Sequence, residues 1–243
     1  MSSLLSSSRP IGILNAQRMI VRVDCTVSTD SKVVAVDING TLIGGQYLHW
    51  TEIFEKRLGL QKRSNAPSLQ WYEVQTGQMS FEETVATTYV VTDPEILRDQ
   101  AIKIYMQHLE LREGCLELLN YLQSKYRLII CSDTSGVTKV IAQTFNLAKY
   151  FMQDYYSIDV GWMKSDREYW EHVLSCNRDT RVNQFVMIGD NPSRDIYWPN
   201  VLGMLTIQIK TTELLSPQTL SSKNRFEKPD YLVTSLKEIK RIL

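Results

Sequence analysis

Four cysteines, three histidines and no surplus of either charge in 243 residues set the first limits on this chain. Cys25, Cys115, Cys131 and Cys176 are scattered without CxxC spacing, so neither a zinc ribbon nor a dithiol redox motif is encoded. Cys131 lies inside an apolar run and reads as a small core residue; the usage as a whole fits a reducing compartment. The 27 basic residues cancel the 27 acidic ones. With no global field, neither nucleic acid nor an anionic membrane is an expected partner, and phosphate recognition has to be local. No apolar stretch approaches the length that spans a bilayer. There are no repeats, and low-complexity sequence is confined to the Ser-rich start.

That start carries Arg9, Arg18 and Arg22 and no acid before Asp24. Its composition overlaps an organellar transit peptide; the alternative is a disordered tail leading into an extra edge strand from Met19 to Cys25. Cytoplasm is the default expectation. An exposed edge strand could pair two subunits, so monomer and homodimer both stand.

A hydrophobic content of 43% suffices for a real core, and the length allows one α/β domain with an inserted subdomain. Apolar runs at 33–36, 128–131, 185–188 and 205–209 read as buried strands, with shorter strands near 155–157 and 230–233. Helical patterns at 47–58, 81–91, 93–109, 113–126, 137–145, 167–174 and 193–202 lie between them, and a basic helix closes the chain. Strand–helix alternation predicts a Rossmann-like parallel sheet sandwiched by helices. Residues 46–111 break the alternation with helices alone, the pattern of an all-helical cap inserted into a core of 33–45 and 112–243. Residues 1–32 form an extension.

Three apolar runs end in polar groups: Val36 into Asp37, Cys131 into Ser132, and Ile188 into Gly189 and Asp190. If the strands are parallel neighbours, these side chains meet at one edge, where open α/β sheets bind ligands. Two carboxylates meeting there repel unless a cation joins them, and a hard oxygen site for Mg²⁺ resolves this. The plainer alternative is that each polar residue caps a strand or opens a turn.

The segment Asp37-Ile38-Asn39-Gly40-Thr41-Leu42 resembles the first motif of the haloacid dehalogenase superfamily. Three more motifs follow in the family's order: 128–132 ending in Ser132, Gly161-Trp162-Met163-Lys164, and Gly189-Asp190-Asn191-Pro192-Ser193-Arg194-Asp195. The resemblance implies Asp37 as a nucleophile that forms an aspartyl-phosphate. It implies Mg²⁺ held by Asp37, Asp190 and the backbone carbonyl of Asn39. Thr41 and Ser132 would donate hydrogen bonds to the nucleophile and a phosphoryl oxygen, Lys164 would offset charge beside Asp37, and Asp195 would orient Lys164 or a metal-bound water. The implied activity is Mg²⁺-dependent hydrolysis of a small phosphorylated metabolite.

The chain departs from that pattern in places. Asn39 stands where the family's phosphatases carry a second Asp, which protonates the leaving alcohol and later deprotonates water. An amide cannot exchange that proton. A slow phosphatase for easy leaving groups, a member with other chemistry, and a binding protein on the same scaffold all follow. Asp133 replaces a common Asn; it either caps the next helix or joins Ser132 and Lys164 in binding phosphate and substrate. Trp162 and Ser165 also differ without blocking the chemistry. The haloalkanoic acid dehalogenase branch shares the nucleophile, but Asp190 and Asp195 resemble the metal-dependent kind.

In the insertion, Ser80 and Glu83 make a capping box. A helical cap implies a closed cavity and a small substrate. Trp50, Trp71, Tyr72 and Tyr89 either line that cavity or form the insert's own core. His49 is a candidate replacement for the missing acid, and a structural role is its alternative.

Overall fold

Val33–Val36 carries no polar side chain and forms the central strand β1, whose residues are all at most 1% exposed. A strand buried on both faces belongs inside a parallel sheet. In the computed structural model, which describes residues 33–210 and 224–243, β1 runs parallel to β4 (Arg127–Ser132) on one side and β6 (Phe185–Gly189) on the other. The strands β5 (Gln153–Tyr156), β7 (Leu205–Ile209) and β8 (Tyr231–Val233) complete a parallel sheet of order β5-β4-β1-β6-β7-β8.

Alternation along β1 feeds two cores. Val34 and Val36 pack with Leu118, Leu119 and Leu122 of helix α4 (Cys115–Gln123) and with the C-terminal helix, while Val33 and Ala35 pack with Tyr169, Trp170 and Val173. The register Val36↔Ile130 and Val36↔Ile188 brings the ends of β1, β4 and β6 level. The Asp37 N–H donates to the Ile188 carbonyl at 2.9 Å, which holds Asp37 to the end of β6.

Between β2 (Ile43–Gly45) and its antiparallel partner β3 (Leu109–Leu111), the regular elements are helical: a wide π-type turn at Glu52–Arg57, α1 (Trp71–Gln75), α2 (Phe81–Thr88) and α3 (Pro94–Met106). Side chains from these elements close around Trp50, Phe54, Phe81, Tyr89 and Tyr105. Ser80 and Glu83 form the capping box, and Asp93 caps α3.

Several elements differ from the sequence reading. The helix expected through residue 109 ends at Met106, because the chain must turn to pair Leu109 with Gly45. Gly45 sits at φ +98°, and a Cβ there would lie 2.2 Å from the His108 carbonyl oxygen, so only glycine lets the strands close. The helix expected over 47–58 is the shorter turn 52–57, and α2 stops at Thr88 so that Tyr89 can bridge to Lys62. The helix expected over 193–202 is a π-type turn at Pro192–Ile196 followed by a short helix at Tyr197–Leu202. The strand expected near 155–157 is shifted to Gln153–Tyr156. The transit-peptide and edge-strand readings of the N-terminus, and Cys25, lie outside the described residues. No helix among the described residues is long and apolar enough to cross a membrane.

Candidate active site

Gly161 closes the short helix α6 (Ser157–Val160) at φ +86°, a left-handed turn three residues before Lys164. Lys164 is clamped at both backbone ends. Its N–H donates to Asp133 Oδ1 at 2.8 Å, and its carbonyl accepts from Trp170 Nε1 at 2.8 Å. Its side chain, 3% exposed, ends 2.7 Å from Asp37 Oδ1 and 2.5 Å from Asp195 Oδ1. Burial works against its charge, but the carboxylates of Asp195, Asp37 and Asp133 outweigh it and hold the ammonium above the ordinary lysine range.

Asp195 is fully buried, and both its oxygens are used. Oδ1 accepts from Lys164, and Oδ2 accepts the N–H groups of Asp190 at 3.1 Å and Asn191 at 2.9 Å. Its anchorage needs Gly189, where a Cβ would fall 2.3 Å from the Asp195 carboxyl carbon. Asp37 is buried, with the Thr41 hydroxyl 3.5 Å from Oδ2 and the Ser132 hydroxyl bonded to its carboxylate. Burial pushes the Asp37 carboxyl up to about 6; Lys164 opposes the shift and Asp195 adds to it. Asp190 keeps some surface open to the cavity, yet burial, then Asp195, then Asp37 push its carboxyl well above the usual range.

Asp37, Asp190 and Asp195 each offer an oxygen within 4.8 Å of the others. Gly40 allows the approach: at φ +84°, a Cβ there would lie 2.5 Å from Asp190 Oδ2. Its N–H donates to the Tyr47 hydroxyl at 2.7 Å, and that hydroxyl donates to the Ile43 carbonyl at 3.0 Å, which fixes the turn bearing Asn39. The Asn39 Oδ1 is buried with no hydrogen-bond partner. An all-oxygen donor set whose carboxylates repel each other fits a hard divalent cation. Asp195, saturated by Lys164 and two N–H groups, has the least left to offer it.

These groups open into a cavity of about 220 Å³. Of the sequence-predicted site residues, Asp37, Asn39, Asp133, Lys164, Asp190 and Asp195 line it. Thr41 and Ser132 are buried behind Asp37 and reach it through their hydroxyls. Asp133 does not cap a helix: the next one, α5 (Val137–Thr144), begins after Gly136 with no side-chain cap. Its Oδ1 instead holds the Lys164 backbone, and Oδ2, buried without a hydrogen bond, stands 3.6 Å from Arg194 Nε. Burial raises its carboxyl, against the pull of Lys164 and Arg194.

His49 is exposed, pairs with Thr51 and does not line the cavity. Of the four insert aromatics considered from sequence, Trp50 alone lines it. Trp71 packs against Trp50 and Phe81, Tyr89 is buried with its hydroxyl on Glu55, and Tyr72 is exposed and bonds Asp166. Tyr47, Gln75, Tyr105, Ser135, Asn191 and Arg194 line the cavity without having been singled out. Arg194 and Asn191 lie inside the fourth motif, and Ser135 lies three residues past Ser132, so position was a usable signal for these; Tyr47, Gln75 and Tyr105 depend on how the insert folds over the sheet.

A search of curated proteins found no match. Among solved structures, an enzyme of the haloacid dehalogenase (HAD) family from Bacteroides thetaiotaomicron, in complex with magnesium and inorganic phosphate, is similar at a TM-score of 0.59 and 20% identity, over 76% of this chain and 98% of that one. A HAD phosphatase from Thermococcus onnurineus is similar at 0.58 and 16% identity, over 87% and 97%. A 2-haloacid dehalogenase from Pseudomonas syringae is similar at 0.57 and 16% identity, again over 87% and 97%. At these identities the likeness concerns the fold. A family profile described as haloacid dehalogenase-like hydrolase matches residues 31–197, most of the chain. With the ordered motifs and the parallel sheet, this places the protein: the chain belongs to the haloacid dehalogenase-like hydrolases.

Proposed function

We propose that the protein is a Mg²⁺-dependent phosphomonoester hydrolase acting through a phosphoryl group carried on Asp37, and that it turns over slowly. The observation that carries this reading is the buried contact of Lys164 with Asp37, next to Asp190, at the end of the central strand. Asp37 attacks phosphorus as the bond from phosphorus to the alcohol oxygen breaks, and water then cleaves the aspartyl-phosphate. Lys164 offsets the charge of an anionic nucleophile meeting an anionic ester, and Thr41 and Ser132 keep the carboxylate aimed. Asp37, Asp190 and the Asn39 carbonyl would hold Mg²⁺, which when bound orients and neutralises the phosphoryl oxygens. The helical insert serves as a cap that keeps water out, and the substrate is a small phosphorylated metabolite.

Asn39 sets the rate. Losing a positioned acid–base costs about 10²–10⁴-fold, so alcohols that depart without a proton are favoured. The test is hydrolysis of an aryl phosphate with and without Mg²⁺, for wild type and Asn39→Asp. Slow, Mg²⁺-dependent wild-type turnover and an increase of about 10²-fold or more in the variant are expected. If neither protein turns over while Mg²⁺ binds at Asp190, the hydrolase reading fails. A phosphoryl-binding protein on the same scaffold, which Asn39 itself favours, then replaces it. A dehalogenase role is disfavoured by the acidic trio, since displacement of halide by a carboxylate needs no cation.

A further inference from the structure

The cavity's two walls differ in charge. Among the described residues lining it, the sheet side carries four carboxylates and only two basic groups, Lys164 and Arg194. The insert side carries Tyr47, Trp50, Gln75 and Tyr105, none charged. Trp50 and Tyr105 lie stacked with ring centroids 5.0 Å apart and planes at 25°, and Tyr47 meets Tyr105 edge-on at 6.1 Å.

This charge balance restricts the alcohol half of an ester. A divalent cation would bring the sheet side only to neutrality, so the phosphoryl group already makes the filled site anionic. A carboxylate or second phosphate on the alcohol would be buried against rings and an amide, a costly placement without a counter-charge. Of the two basic groups among the described lining residues, Arg194 is not spent on Asp37, but it already stands 3.6 Å from Asp133. The apolar rings of Trp50 and Tyr105 in that wall favour an uncharged aromatic alcohol. Asn39 points the same way, because a phenol-like alcohol departs without the missing acid.

Resting on the hydrolase reading above, we infer that the site selects phosphate esters of an uncharged aromatic alcohol and rejects esters whose alcohol carries a carboxylate or a second phosphate. The juxtaposition behind this is an uncharged lining of Tyr47, Trp50, Gln75 and Tyr105 in the same cavity as four carboxylates.

Two esters matched in leaving group provide the test: para-hydroxymethylphenyl phosphate and para-carboxyphenyl phosphate, each with Mg²⁺. A kcat/KM about tenfold or more higher for the hydroxymethyl ester is expected. Gln75→Lys, which puts a cation on the insert wall, should narrow the ratio to about threefold or less by raising kcat/KM for the carboxylated ester. Equal or reversed values in the wild type overturn the inference and leave the hydrolase reading standing. If neither ester is turned over, that reading falls, and calorimetric titration of both esters with Mg²⁺ present decides the inference alone. Tighter binding of the hydroxymethyl ester supports it, and equal or inverted affinities overturn it.

Discussion

Lys164 Nζ lies 2.7 Å from Asp37 Oδ1 across 127 residues of chain, and both side chains are nearly excluded from solvent. A buried pair of this kind contributes little net stability as a pair, but stranding one partner is expensive. Lys164→Met leaves Asp37 and Asp195 without their shared cation. A loss of about 3–5 kcal/mol in denaturant unfolding without metal is expected, with Mg²⁺ restoring part of it. An unfolding midpoint unchanged from wild type would show that the ammonium does not hold this cluster together.

Gly40 and Gly203 provide a controlled comparison. Both have positive φ, +84° and +93°, but a Cβ at Gly40 would strike Asp190 while one at Gly203 meets nothing within 4 Å. Each alanine substitution carries a backbone penalty of about 1 kcal/mol. Gly40→Ala should in addition weaken Mg²⁺ binding about tenfold or more in calorimetry, and Gly203→Ala should leave it within about twofold. Equal Mg²⁺ affinities in the two variants would remove Asp190 from the metal site.

The acidity of Asp37 gives a pH signature. Its carboxyl rises from 3.8 to about 6 on folding, so the folded state holds that proton more tightly than the unfolded state. A raised carboxyl contributes most stability below the unfolded value and loses it as pH rises through the folded one. Without metal, this group's contribution therefore falls between about pH 4 and 6. Mg²⁺ competes with the same proton, so the rise in Tm on adding Mg²⁺ should be small near pH 5 and larger near pH 7. Thermal melts across that range check this; a metal-induced rise independent of pH would contradict it.

Burial pushes the thiols of Cys115 and Cys131 up to about 12, while Cys176 is exposed on the surface. Thiolate is the reactive form, so at pH 8 iodoacetamide should label Cys176 in the native protein and reach Cys115 and Cys131 only after unfolding. Peptide mass mapping reads the result, and native labelling of Cys131 would show that the sheet centre opens.

Much of this arrangement was legible in the chain. Val33–Val36 announces a doubly buried strand because no residue in it can face water, and polar residues after three such runs meet once the strands are level. Asp37, Ser132 and Asp190 followed from that, whereas Lys164 was legible only through its place after Gly161 in a motif that resembles the family's. What escaped depends on contacts distant in sequence. The β2–β3 pair joins three-residue segments too short to leave a periodic signal, so the sequence pattern runs the helix past its end at Met106. Asp133 precedes a helix and has the chemistry of a cap; only the fold brings the Lys164 N–H to it. Tyr47, Gln75 and Tyr105 sit in a helical insert whose cavity-facing side is set by packing over the sheet, and composition there reads equally well as core.

The central claim is that Asp37 takes up a phosphoryl group. The direct measurement is peptide mass mapping after acid quench of the protein incubated with an aryl phosphate and Mg²⁺. Because Asn39 cannot activate water as a carboxylate would, the adduct should accumulate. The account predicts one added phosphoryl group on the peptide containing Asp37, absent without Mg²⁺ and absent in Asp37→Asn. Turnover that persists in Asp37→Asn, with no adduct on the wild-type peptide, would contradict it.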